Sequence, residues 1–115
     1  MKTYILTATV GATKVTSGQF VKQDGVGGVI ANDGAATGIG LANATKEPTK
    51  KVGVITNGLV WVPLTTPGTY NFGDVVELGS DGQTVAVGST NPIGIVAATK
   101  TTTADDLSLQ VLLDM

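Results

Sequence analysis

Two adjacent carboxylates, Asp105 and Asp106, are the first residues whose type and spacing suggest chemistry. Glycoside hydrolysis needs two carboxyls facing one cleft, yet neighbours in an extended strand point to opposite faces. The pair reads as a turn and solubility device. No spaced Asp-x-Asp-x-Asp-Gly loop organises a Ca²⁺ site around it, and Asn32-Asp33-Gly34 and Asp81-Gly82 fit turns first. Ser17, Ser80, Ser89 and Ser108 have no His to act as base, and no Gly-x-Ser-x-Gly elbow is present. The segment from Gly38 to Asn43 begins like a dinucleotide fingerprint but lacks the third Gly and a following helix. With no His and no Cys, the commonest metal ligand, the proton shuttle and the thiol nucleophile are all missing. All seven cations are Lys, so the Arg fork that grips phosphate is missing too. Lys46, Lys50 and Lys51 form the only basic cluster. At a net charge of −2 with 4% aromatic residues, stable nucleic-acid binding is not expected. Neither a cofactor nor a metal is expected, and no enzyme. A structural or binding role is what remains.

The elements that must carry such a role are β-strands. The chain has 115 residues, which suits one domain spanning 1–115, with 42% hydrophobic residues, 14% charged residues and 16 Gly. Residues 4–10 are rich in β-branched and aromatic side chains, and residues 107–111 alternate strictly, extended by Leu112 and Leu113. Further short strands are expected at 19–22, 28–31, 39–43, 74–78, 84–87 and 93–98, separated by Gly, Asp, Asn and Pro turn signals. Asn57-Gly58, between the β-prone runs 52–56 and 59–64, predicts a hairpin with a type I′ turn. Val60 and Val62 then share one face, with Leu59, Trp61 and Pro63 on the other. Pro63 marks an edge or an end. No window carries a helical stripe or eighteen consecutive apolar residues, so neither helix nor membrane contact is expected. Residues 3–10 alternate Thr with apolar residues, unlike a signal peptide, and Asn43-Ala44-Thr45 then matches a glycosylation acceptor by chance. The fold class expected is all-β: a compact barrel or sandwich of roughly ten short strands, with little or no helix.

An internal repeat organises the chain. The segment from Ile39 to Lys46 recurs from Ile93 to Lys100, and Gly18-Gln19-Phe20-Val21-Lys22 parallels Gly73-Asp74-Val75-Val76-Glu77. Each is followed by an Asp-Gly turn and a strand, which defines pseudo-repeats of about 15–64 and 70–113. The repeated Ile-Gly reads as a place where a strand bends or another backbone comes close. Charge divides between the halves: residues 1–60 carry six Lys against Asp24, Asp33 and Glu47, and residues 61–115 carry Lys100 against six acids. The equivalent polar loops therefore differ in sign, Lys46, Lys50 and Lys51 against Asp105 and Asp106. Opposed patches on one subunit favour head-to-tail contacts.

The run from Gly28 through Asp33-Gly34-Ala35-Ala36-Thr37-Gly38-Ile39-Gly40 to Lys51-Val52-Gly53-Val54 and Trp61 resembles the head decoration (capsid cement) proteins of tailed bacteriophages, including the lambda type. Gly73-Asp74-Val75-Val76-Glu77-Leu78, Asp81-Gly82 and Ile93-Gly94-Ile95-Val96 look like the corresponding second segment. The likeness covers roughly residues 15–113. It implies a compact, β-tulip-like fold without catalytic residues, and a homotrimer on the outer capsid surface of the virion. There such a protein binds the major capsid protein and cements neighbouring coat subunits of the expanded head. Lambda-type members carry a long polar N-terminal arm; here a strand-like segment begins by Thr3, so their attachment residues do not transfer.

Two candidate surfaces follow. The uncapped strand start at Thr3, Tyr4, Ile5, Leu6 and Thr7 is the candidate capsid contact, by addition to a sheet edge of the coat protein. Lys46, Lys50, Lys51, Trp61, Asp105 and Asp106 are candidate subunit contacts. The alternating strand favours a core position for Trp61, with an interface anchor as the alternative. Another virion β-module, at a head fibre or tail, and a surface carbohydrate-binding module are the competing functions.

Overall fold

The computed structural model describes residues 3–115. They form eleven strands and, among the described residues, no helix, so the fold is all-β. Six short strands lie close to their expected places: β2 (Phe20–Gln23), β3 (Val29–Ala31), β4 (Gly40–Ala42), β7 (Val75–Leu78), β8 (Val85–Val87) and β9 (Pro92–Val96). β1 (Tyr4–Thr9), the long β5 (Lys51–Pro63) and β11 (Ser108–Asp114) join them in one curled antiparallel sheet. A separate two-stranded pair, β6 (Thr69–Tyr70) with β10 (Lys100–Thr101), was not foreseen, because two-residue strands carry no period.

The sheet order is β3-β2-β4-β5-β11-β9-β7-β8. It reads the same from both ends: each half presents its third, second and fourth strands in that order before reaching the central pair β5–β11. Each half also curls until its leading strand touches its third, through parallel bridges Val10–Val29 and Leu64–Val85. Smaller bonds match as well. Ser17 N–H donates to Thr45 Oγ1 (3.0 Å) and Phe72 N–H to Thr99 Oγ1 (2.9 Å). Gly18 N–H donates to Ala42 O and Gly73 N–H to Val96 O, both at 2.9 Å.

The expected hairpin at Asn57-Gly58 does not form. Residues 51–63 make one continuous strand, and Asn57 lacks the positive φ that a type I′ turn demands at its first central position. The cause is tertiary. The first part of β5 pairs with β1, Thr9 opposite Lys51 and Ile5 opposite Ile55, while the second part pairs with β11, Pro63 opposite Ser108 and Gly58 opposite Leu113. Val10 N–H donates to Lys50 O (2.8 Å) and Met115 N–H to Thr56 O (2.9 Å), whereas Asn43 N–H reaches Gly53 O (2.9 Å). Carbonyls of like parity face one edge, so β1 and β11 lie end to end along one side of β5, with β4 on the other. Ladders on both sides outweigh a local turn preference. Gly58 keeps φ at 134°, and a Cβ there would stand 2.8 Å from Thr3 Oγ1. The junction between the halves therefore falls inside β5, at Asn57-Gly58, rather than in the connection between residues 64 and 70.

Two apolar clusters fill the curl. Val10, Val15, Val21, Val29, Ala42, Val52 and Val54 form the smaller one, in the first half. The larger holds Val60, Val62, Tyr70, Val76, Ile93, Leu109, Val111 and Leu113 of the second half. Val60 and Val62 share one face of β5 and Leu59, Trp61 and Pro63 the other, as expected; the first face is buried together with Leu109 and Val111 of β11, and the second is exposed. Both Ile-Gly glycines are sites of close approach. A Cβ on Gly40 would lie 2.7 Å from Ile55 O, and one on Gly94 would overlap Leu112 O outright.

Candidate functional site

The residues with the most chemical potential are committed to structure. Lys100 Nζ ion-pairs with Asp106 (2.9 Å) and donates to the Ser108 carbonyl (3.0 Å) and hydroxyl (3.3 Å), while Ser108 Oγ donates to Asp106 (2.8 Å). All three donors of the ammonium are spent holding the end of β11, so this Ser–Lys proximity is a clamp. Those bonds, from Lys100 first, hold the Asp106 carboxyl below its usual range. Asp105 is exposed and takes no part in the clamp. Asp24 and Asp81 each accept two backbone N–H groups, from Val26 and Gly28 (2.8 and 2.9 Å) and from Gln83 and Thr84 (2.9 and 3.0 Å), closing the two equivalent turns. Among the described residues no three His, Cys, Asp or Glu side chains come together as a metal site would require.

Lys46, Lys50 and Lys51 are exposed at one end of the first half. Lys51 Nζ reaches Thr9 Oγ1 (2.8 Å) across the end of β1. Trp61 does not enter the core, as its strand pattern favoured: it is 57% exposed, because its face of β5 looks outward, with Lys100 Nζ 5.1 Å from the ring centroid. Through Lys100 the structure gathers Trp61 and Asp106 into one cluster. Among the described residues, no lysine of the first half reaches them by hydrogen bond or ion pair.

The remaining candidate is β1. A strand half-covered by a core should hide alternate side chains, yet Tyr4, Ile5 and Leu6 in sequence are 58%, 54% and 50% exposed, and Thr3 and Thr7 are exposed beside them. Among the described residues β1 pairs with β5 alone, and the chain just beyond it meets β3 at Val29, through the Val10–Val29 bridge and the Gly11 N–H. Between β1 and β3 the surface opens into a groove of about 460 Å³ lined by Leu6, Thr7, Gln23, Gly25 and Lys51 among others. An edge strand with unspent backbone groups and apolar side chains on both faces is a template for a further strand.

A second apolar surface escapes sequence reasoning. Leu59 pairs with Leu112, Leu112 with Ile95 and Ile95 with Val75, making an outward row across four strands. Leu59 and Val75 are exposed, Leu112 and Ile95 half-buried, and a groove beside them is lined by Pro92, Gly94 and Asp114. Its signal lay in apolar doublets, Val75-Val76, Ile95-Val96 and Leu112-Leu113, which put apolar side chains on both faces of a strand. No protein-family model matches the chain, and no curated protein is similar to it.

Proposed function

We propose that this chain is a structural virion module that binds the outside of a tailed-phage capsid and cements neighbouring coat subunits, working by buried surface rather than by chemistry. The observation that carries the reading is β1, which offers a free strand edge and three consecutive exposed apolar side chains, Tyr4, Ile5 and Leu6. Backbone pairing gives such a contact affinity, and side-chain pockets in the partner give it specificity. The low charge, the two small cores and the commitment of Lys100, Asp106 and Ser108 to structure all suit a clamp. The sequence resemblance to capsid cement proteins supplies the partner class, the major capsid protein, and self-association as a trimer.

The test is binding to undecorated heads of the phage that carries the sequence, expanded and unexpanded, with the copies bound per shell measured. Deleting residues 1–8 should abolish binding while far-UV circular dichroism still reports the β fold. A truncated chain that binds as the full one does would refute the role of β1.

A further inference from the structure

The two halves end unequally. In the first half the outward row Phe20, Leu41 and Ile55 is covered: Phe20 and Leu41 are buried, and Ile55 packs against the second half's core. The β7–β8 turn of the second half seals its end. Gln83 Oε1 accepts from Phe20 N–H (2.9 Å), Gln83 Nε2 donates to the Phe20 and Asn32 carbonyls (both 2.8 Å), and Asn32 Nδ2 donates to the Gly82 carbonyl (2.9 Å). The ladder positions equivalent to Phe20, Leu41 and Ile55 are Val75, Ile95 and Leu112, of which Val75 is exposed and the other two only half-buried. The turn equivalent to 79–84 is 24–28, between β2 and β3. Val26 at its tip, set between Gly25 and Gly27 at φ 85° and 94°, is 88% exposed. One molecule thus carries an uncovered row at one end and an unused turn at the other.

We propose that the 24–28 turn of one copy docks on the Leu59, Leu112, Ile95 and Val75 row of the next, a head-to-tail contact between copies of this chain. The pairing repeats the one inside the molecule, where the equivalent 79–84 turn seals the equivalent row, and it is apolar, since the 24–28 turn carries the single charge of Asp24. Asp114 lies on the rim of the row's groove. A stable interface needs about 800 Å² from each partner. The row supplies the apolar centre of such an interface. The contact is heterologous, so repetition closes a ring or continues as a filament, and three copies in a closed ring make a trimer. The inference rests on the chain being self-associating, not on the capsid as its target.

Sedimentation of the full chain from micromolar to millimolar concentration, without capsids, tests it. The wild type should associate. Val26→Asp and Leu112→Lys should each weaken association by about tenfold or more, as loss of a buried apolar anchor does. Because the chain has no Cys, a mixture of Val26→Cys and Leu112→Cys should cross-link under oxidation while neither variant cross-links with itself. A wild type that stays monomeric would overturn both self-association and this contact. Association that neither charged variant weakens, or cross-linking within a single variant, would overturn the contact alone.

Discussion

Carboxylates in the turns give this chain its pH response. Val26 and Gly28 N–H groups on Asp24, the Lys22 ammonium on Asp33 (2.7 Å), the Thr84 and Gln83 N–H groups on Asp81, and Lys100 on Asp106 all hold their acids below the usual range. In each case the folded form takes up a proton less readily than the unfolded chain, so the stabilisation is present above the unfolded carboxylate pKa and lost as pH falls through the folded one. The melting temperature should be level between about pH 6 and 8, where no His titrates, and should fall below about pH 4. Asp81→Asn should make that acid slope shallower, and Asp81→Ala should cost about 1 kcal/mol in urea unfolding at neutral pH. Gly94 is the other sensitive residue. Gly94→Ala forces a methyl into the Leu112 carbonyl and should cost about 3 kcal/mol by the same measurement.

At the scale of elements, β5 is where local and global preferences part. Asn57-Gly58 is a strong hairpin signal, yet the two residues sit at the junction of two half-strands already held by β1 and β11. Gly58→Ala should therefore destabilise the fold by at least about 1 kcal/mol, through its φ of 134° and the contact with Thr3. The six short strands were legible because glycines and Asp-Gly or Asn-Asp-Gly turns bracket β-branched doublets. The alternation over 107–111 marked β11 as a half-buried strand, and Leu109 and Val111 are inside. The surfaces were less legible. Strand periodicity says which residues share a face, not whether another layer covers that face. Trp61, Leu59 and Val75 are exposed for that reason, while Phe20, the equivalent of Val75, is fully buried. β1 read correctly as a strand, but the exposure of Tyr4, Ile5 and Leu6 on its faces is set by tertiary packing, which strand periodicity does not report.

On the scale of the whole molecule, two similar halves share one long strand, and Asp24, Asp81, Lys100, Asp106 and Ser108 are spent on turns and a clamp. What is left for contact is β1, the apolar row and a charge divided between the halves. The proposed capsid attachment through backbone pairing at β1 should be little affected by salt, whereas any contact that joins the basic half of one copy to the acidic half of another should weaken as ionic strength rises. Measuring both processes from low to high salt should separate them.

The most direct measurement is the number of copies that saturate an expanded, undecorated phage head, the target that the proposed function assigns. The proposed role predicts saturation at a number comparable with that of the coat subunits, together with greater resistance of the decorated head to heat or chelation. Binding at only a few vertices, or none at all on either expanded or unexpanded heads, would contradict it.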